Sequence, residues 1–263
     1  MDYADFEAKL KTWKSAAAFH EYGRVHEGGR DYALWCLTTP GARELVVTAG
    51  FHGEEPAGPL TVLEHFGELA AYARKHDVAL RVFPCVNPSG FERGERYNTS
   101  GEHPNNDFIH YELSPGTFVE EVAPGAAFHA WHLKDGGPKE TQALRRELAR
   151  GPVPAAALDL HQDAWVRSPC FSAYYFGLPQ PYRELVAQTV PHAKVAVHLP
   201  VYGDVQTDAS GLIIHHDGSN SDWFWRRGTR HVAVVETSTK LPQANADAVN
   251  LTWLKRFVEW AAS

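Results

Sequence analysis

The sequence predicts an α/β fold, in which a mixed, mainly parallel twisted sheet carries helices on both faces. Apolar runs typical of buried strands alternate along the chain with amphipathic patterns typical of helices. The chain has 263 residues, 44% of them hydrophobic, which is enough to build one large core. Because no linker-like segment divides the chain, we expect a single domain over residues 1–263.

In the first third of the chain, strand and helix patterns follow one another closely. Pro56 lies where its fixed φ suits the first turn of a helix, whose apolar stripe includes Leu63 and Phe66. The predicted elements are a helix over 2–18, strands over 32–38 and 44–51, a helix over 56–76, a strand over 78–86 and a turn over 87–90.

The segment from 91 to 137 is rich in glycine, proline, asparagine and histidine and has little periodicity. Because so long a stretch is unusual as a plain loop, we predict a functional lid or binding loop there. Beyond it, helices are predicted over 138–150, 181–189 and 244–262, and strands over 155–160, 170–177, 194–199 and 231–236.

Three predicted strands stop at residues able to bind or serve a metal ion. His52 and Glu55 follow the strand over 44–51, while two later apolar runs stop at His161 and Glu236. Imidazole and carboxylate groups are typical zinc ligands. Because sites of open α/β sheets lie beyond the carboxyl ends of strands, we expect these residues to converge on one crevice.

Composition and charge exclude several classes of protein. A net charge of -7 without any block of lysine and arginine gives no field for nucleic acid. The first ten residues lack the pattern of a signal peptide, and no apolar stretch approaches the ~18 residues of a membrane helix. Cys36, Cys85 and Cys170 have no metal-binding spacing and are read as buried thiols. We therefore expect a cytoplasmic protein with no membrane or nucleic-acid partner, and the sequence leaves its oligomeric state open.

Four motifs in order resemble the zinc metallocarboxypeptidase superfamily, the carboxypeptidase A-like fold, and most closely its small bacterial murein-peptide amidases. They are His52-Gly53-Glu54-Glu55, the segment Asn87 to Gly101, Asp159-Leu160-His161, and Gly218 to Trp223 followed by Glu236. The motifs lie between residues 46 and 238 and so cover most of the chain.

The resemblance implies a set of site residues. His52, Glu55 and His161 would hold one Zn²⁺ ion, Glu236 would be the general base, and Arg96 would stabilise the oxyanion. The implied activity is zinc-dependent cleavage of an amide bond in a small peptide, through a water that the metal activates.

The chain departs from the family where substrate is bound. The family usually has Asp-x-Asn-Arg-x-Phe, in which the asparagine and arginine hold the substrate's terminal carboxylate, but this chain has His103-Pro104-Asn105-Asn106-Asp107-Phe108. Asn105 and Asn106 are therefore the candidate substrate-binding residues. A neutral amide cannot make the bidentate charged pair of a guanidinium, so recognition of a free C-terminus is left open. The family's tyrosine before Gly218 is also absent, and the chain has Ile213 to His216 there.

Two other functions are compatible with these residues. The chain could be an N-acyl amino acid deacylase of the succinylglutamate desuccinylase or aspartoacylase kind, with an N-acyl amino acid as substrate. It could also be a non-catalytic zinc-binding protein that acts as a peptide-binding or scaffold module. The retention of Glu236 and Arg96 favours catalysis, because a pure binder has no need of a general base.

Overall fold

The computed structural model describes residues 1–202 and 205–263. Its strands are β1 (Ala18–Glu27), β2 (Arg30–Thr38), β3 (Arg43–Ala49), β4 (Val78–Phe83), β5 (Ile109–Ser114), β6 (Thr117–Val119), β7 (Ala130–Leu133), β8 (Ala156–Asp163), β9 (Cys170–Tyr175), β10 (Lys194–Val195), β11 (Pro200–Tyr202), β12 (Val205–Gln206), β13 (Leu212–Ile213) and β14 (His231–Ser238). Its helices are α1 (Tyr3–Leu10), a 3₁₀ turn (Lys11–Ser15), α2 (Ala57–Lys75), α3 (Pro88–Arg93), α4 (Lys139–Ala149), α5 (Pro179–Thr189), α6 (Asn220–Arg226) and α7 (Gln243–Ala262).

The main sheet is mixed and mainly parallel, as predicted. Its strand order is β1-β2-β4-β3-β8-β14-β9-β10, and β13 also pairs with β9. The central strands β4, β3, β8 and β14 run parallel, while β1 and β2 form an antiparallel edge and β9 is antiparallel to β14. The carboxyl ends of β3, β8 and β14 therefore meet at one edge of the sheet.

Helices cover both faces of this sheet because side chains alternate along each buried strand. On β3, Leu45 and Val47 pack into the core cluster that contains side chains of α2 and α7. Val46 between them points the other way, into the cluster that contains Leu144 of α4 and Trp223 of α6. No helix within the described ranges is long and apolar enough to cross a membrane.

The N-terminal segment differs from the prediction of a helix over 2–18. The helix α1 ends at Leu10, a 3₁₀ turn follows, and β1 begins at Ala18. β1 is an edge strand with much of its length exposed, and its bulge between Glu21 and Gly23 breaks the alternation that would identify a strand.

The predicted lid over 91–137 also contains regular structure. Asn87 caps α3, because its Oδ1 accepts a hydrogen bond from the backbone N–H of Gly90 at 2.9 Å. The predicted turn over 87–90 is therefore the first turn of a helix. The strands β5, β6 and β7 then form a separate three-stranded antiparallel sheet.

A buried carboxyl at the start of α4 makes stability depend on pH. The pKa of Glu140 is raised from 4.5 to about 7, chiefly by burial and also by the charges of Glu27 and Glu102, against hydrogen bonds such as that from Asn98, which lower it. The folded state therefore keeps a proton that the unfolded chain releases between these two values, so stability falls as pH rises through this window.

For Glu140→Gln, whose side chain does not titrate, we expect this pH dependence to disappear. Relative to the variant, the wild type should lose on the order of 2 to 3 kcal/mol of unfolding free energy between pH 4.5 and pH 8. Urea denaturation across this range measures the difference. Glu64→Gln, at an exposed position, is the control and should show the same pH dependence of unfolding free energy as the wild type. The same pH dependence in Glu140→Gln and the wild type would contradict the prediction.

Candidate metal centre

The ends of β3 and β8 bring His52, Glu55 and His161 together. Ala49 pairs with Leu160 in the parallel ladder, so the chain leaves both strands at the same level. The turn after β3 packs tightly on α3, because a Cβ on Gly53 would lie 1.9 Å from the carbonyl carbon of Gly90. This turn places His52 and Glu55 beside His161, and all three side chains are at most 4% exposed.

The three side chains direct their donor atoms at one point. Nδ1 of His52 lies 2.7 Å from Oε1 of Glu55, and Nδ1 of His161 lies 2.9 Å from Oε2. One donor atom from each residue falls within 4.8 Å of the others. Two imidazoles and one carboxylate with an open side are the donor set of a catalytic zinc site, so the residues present fit this metal.

The electrostatics of the cluster favour an ionised carboxylate. Burial raises the pKa of Glu55, but the imidazoles of His52 and His161 lower it more, so the pKa lies well below its usual range. Burial lowers the pKa of His52. Burial also lowers the pKa of His161, but Asp159 and Glu55 raise it more, and the result lies well above the usual value.

Each candidate histidine ligand has a partner on its other nitrogen. Nε2 of His161 lies 3.1 Å from the buried Asp159 carboxylate, while Nε2 of His52 lies 2.8 Å from Nε2 of His103. The ring planes of His52 and His103 are nearly parallel, with an angle of 2° between them. Burial, followed by the charges of His52 and Arg96, lowers the pKa of His103 to about 3, so this ring is neutral. With a metal ion on Nδ1 of His52, Nε2 of His52 would carry the proton and donate it to Nε2 of His103. Such partners fix the tautomer and orientation of a metal-binding imidazole.

For His103→Ala, we expect zinc affinity to fall by roughly tenfold or more, because Nε2 of His52 loses the acceptor that orients its ring. Competition with a chromophoric chelator measures this affinity. His132→Ala removes an exposed imidazole and serves as the control. An unchanged dissociation constant for His103→Ala would contradict the role of His103.

Arg96 lies directly beside this cluster. Its Nη1 donates to Oε1 of Glu55 at 3.1 Å and to Oε1 of Glu54 at 3.2 Å. The side chain is 25% exposed and lines the same pocket as the candidate ligands. The backbone carbonyl of Arg96 accepts a 3.4 Å hydrogen bond from the buried Asn87, which ties this loop to the end of β4.

Glu236 faces the same cavity of about 930 Å³, which we call the central pocket. Glu236 pairs with His161 in the ladder between β14 and β8 and with Ser172 in the ladder between β14 and β9. The pKa of Glu236 is raised to about 8, chiefly by burial and also by the Glu55 and Asp163 carboxylates, against the lowering effect of His161. Burial and the Glu236 charge raise the pKa of Tyr174, which therefore stays protonated.

The two predicted substrate residues, Asn105 and Asn106, also line the central pocket. The buried Oδ1 of Asn105 has no hydrogen-bond partner within the described structure. The carbonyl of Asn106 accepts from Nζ of Lys134 at 3.0 Å, and the same ammonium pairs with Asp107 and Glu120.

All seven predicted site residues therefore border one pocket, which also contains residues that sequence reasoning did not single out. These include His103, Lys134 and Tyr174. His103 had a usable signal, because it stands where the resembling family has aspartate. The others had none, because the folding of the 91–137 segment and of β9 brings them to the pocket.

Solved structures share this fold. A candidate metallopeptidase of Shewanella amazonensis SB2B matches with a TM-score of 0.73 and 25% identity, over 99% of this chain and 93% of that one. A candidate metallopeptidase of Shewanella baltica OS155 matches with a TM-score of 0.76 and 23% identity, over 99% of this chain and 92% of that one. A metallo-carboxypeptidase of Burkholderia cenocepacia matches with a TM-score of 0.65 and 17% identity, over 98% of this chain and 68% of that one. The chain therefore has the metallocarboxypeptidase fold.

Curated relatives are similar in sequence over part of the chain. Murein peptide amidase A of Escherichia coli strain K12 is 30% identical over 152 residues, which cover 56% of this chain and 56% of that protein. Carboxypeptidase 2 of Trichophyton rubrum is 33% identical over 118 residues, or 40% of this chain and 22% of that protein. The chain thus spans about half or less of these relatives. No protein-family profile matches it.

The fold is the one that the matching metallopeptidase and metallo-carboxypeptidase structures share, and the His-Glu-His cluster is a group that could hold a metal ion. Together with the sequence matches, they confirm the assignment to the zinc carboxypeptidase-like superfamily that the motifs predicted.

Proposed function

We propose that the chain is a zinc-dependent hydrolase of the metallocarboxypeptidase kind, which cleaves an amide bond in a small peptide. The observation that supports this most is the convergence of His52, Glu55 and His161 in a pocket that also holds the carboxyl of Glu236. The names of the curated relatives, a murein peptide amidase and a carboxypeptidase, favour a peptide substrate.

The three ligands would hold one zinc ion, which when bound activates water and polarises the scissile carbonyl. Glu236 is proposed to accept the proton of the attacking water and to return it to the leaving amine. A carboxyl in a buried pocket suits both duties, because its pKa is raised toward neutral pH. Asn105 and Asn106 are proposed to contact the leaving fragment of the substrate.

Arg96 is proposed to stabilise the tetrahedral oxyanion. Its guanidinium already lies at the candidate ligands, where Nη1 contacts Glu55 at 3.1 Å. For Arg96→Ala, we expect kcat to fall by on the order of 10² to 10³, as for loss of one oxyanion donor.

Steady-state kinetics on one cleaved peptide measures this effect. Arg93→Ala is the matched control, because Arg93 is an exposed residue at the end of α3, three positions before Arg96, and pairs with Glu95. An equal loss of kcat in Arg96→Ala and Arg93→Ala would show that Arg96 supports the conformation of the segment after α3 and does not stabilise the oxyanion.

The function is tested by mass spectrometry of a mixed pool after incubation with the zinc-loaded protein. The pool holds free-acid peptides, their C-terminal amides, murein tripeptides and N-acyl amino acids. Cleavage of a peptide or amide that stops on chelation and returns with zinc supports the proposal. Cleavage of N-acyl amino acids alone would assign the chain to the deacylases, and no cleavage despite bound zinc would favour a binding module.

A further inference from the structure

Arg96 is held through one nitrogen of its guanidinium. Nη1 donates to Oε1 of Glu54 at 3.2 Å and to Oε1 of Glu55 at 3.1 Å. Within the described part of the chain, Nε and Nη2 of Arg96 have no hydrogen-bond partner. A guanidinium is a rigid planar fork, so fixing one nitrogen limits where the others point. The remaining donors are therefore available to a group in the central pocket, which Arg96 lines.

The two carboxylates that hold Nη1 differ in their other partners. The buried Glu55 also contacts both candidate histidine ligands, His52 at 2.7 Å and His161 at 2.9 Å. A metal ion in this cluster would bind the same carboxylate, so it would compete with Arg96 for Glu55. The Glu54 carboxylate contacts Arg96 and no other side chain or amide among the described residues. Glu54 is therefore the partner that Arg96 keeps when Glu55 binds a metal.

The backbone is fixed on both sides of the ion pair between Glu54 and Arg96. Glu54 lies in the turn after β3, where a Cβ on Gly53 would come within 1.9 Å of the carbonyl carbon of Gly90. The carbonyl of Arg96 accepts the hydrogen bond from Asn87 at 3.4 Å. The freedom that remains is rotation within the long Arg96 side chain, and ordering such a side chain costs conformational entropy. The contact with Glu54 supplies this ordering before substrate binds.

The pair of Glu54 and Arg96 contributes little to folding. Their side chains are 28% and 25% exposed, and ion pairs in contact with water are weak because solvent screens them. Arg96 lines the central pocket, whereas Glu54 is not among the residues that line it. This arrangement suits a residue that acts through Arg96 and does not contact the substrate.

We propose that Glu54 is a positioning residue that holds Arg96 ready for the tetrahedral oxyanion. It fixes Nη1 beside the metal cluster and leaves Nε and Nη2 for the substrate oxygen, so that the guanidinium is ordered before the reaction. This inference rests on the proposed role of Arg96 in amide hydrolysis and adds the residue that determines where this arginine lies.

For Glu54→Ala, we expect kcat to fall by roughly tenfold, because the arginine side chain must then be ordered in each turnover. KM should change little, since Glu54 does not contact the substrate. Glu54→Gln keeps an oxygen acceptor without its charge and should lose less, because a neutral acceptor forms a weaker hydrogen bond. Glu95→Ala removes the exposed partner of Arg93 in the same segment and should keep the wild-type kcat.

A double-variant cycle separates positioning from a general structural role. In an Arg96→Ala background, Glu54→Ala should cause no further loss of kcat, because no guanidinium is left to position. Three results would overturn the proposal. They are the same loss of kcat in that background as in the wild type, a loss in Glu95→Ala equal to that in Glu54→Ala, and a wild-type kcat in Glu54→Ala.

Nitrogen-15 relaxation of the Arg96 Nε–H group tests the positioning without any substrate, and the signal is assigned by its absence from Arg96→Ala. In the zinc-loaded wild type we expect this group to be nearly as ordered as the backbone, and in zinc-loaded Glu54→Ala to be as mobile as an exposed arginine. Glu54→Gln, with a smaller change in the same direction, takes its place if Glu54→Ala does not fold.

Equal order of the Arg96 Nε–H group in the wild type and Glu54→Ala would overturn the role of Glu54. Failure of the proposed hydrolysis is distinguishable, since it would appear as no cleavage of any amide in the wider pool. The relaxation measurement would still decide whether Glu54 orders Arg96.

Discussion

Glu236→Gln should lose hydrolysis while it keeps the metal. Glutamine has nearly the same shape but cannot accept the proton of the attacking water or return one to the leaving amine. General acid and base catalysis contributes typically about 10² to 10⁴, and here one carboxyl carries both steps, so we expect kcat to fall by on the order of 10³ or more. Glu236 is not among the converging ligands, so zinc affinity should match that of the wild type.

Kinetics and metal titration on the same preparations check this result. Glu184→Gln is the control, because Glu184 is an exposed residue of α5 bonded to Gln180. A Glu236→Gln protein that retains most of its turnover would remove Glu236 from the mechanism. A Glu236→Gln protein that loses both turnover and zinc affinity would show that Glu236 contributes to metal binding.

His161→Ala should abolish both metal binding and hydrolysis. The variant removes one of two imidazole donors and leaves Asp159 and Glu55 buried without this partner. Loss of the metal removes several kcal/mol of transition-state stabilisation, so we expect kcat/KM to fall by on the order of 10³ or more.

Thermal unfolding adds a readout that does not depend on substrate. Zinc binds the folded chain, so it should raise the melting temperature of the wild type in proportion to the logarithm of its concentration. The same titration should leave His161→Ala unchanged. A zinc-dependent shift in His161→Ala equal to that of the wild type would place the ion elsewhere.

The sequence predicted the His-Glu-His cluster because each candidate ligand lies at or shortly after the end of a buried strand. The apolar runs before His52 and His161 are central parallel strands, and such strands bring their carboxyl ends to one edge. Local pattern and one general rule of α/β folds were therefore sufficient, and the family resemblance then assigned a role to each residue.

The parts that the sequence did not predict depend on distant partners. β1 is an exposed edge strand, and its register is set by β2 and a bulge and not by its own apolar pattern. The small sheet of β5, β6 and β7 forms inside a stretch that has no periodicity. His103 gains its role from a contact with His52, which lies 51 residues earlier in the chain. Residue type alone does not reveal such contacts.

The central claim is that His52, Glu55 and His161 bind one catalytic metal ion, and anomalous diffraction at the zinc edge tests it most directly. Crystals grown with one equivalent of zinc should show one peak, ~2.0 to 2.2 Å from Nδ1 of both histidines and from the Glu55 carboxylate. The absence of a peak at this position, or a peak held by other residues while this cluster keeps its hydrogen bonds, would contradict the account.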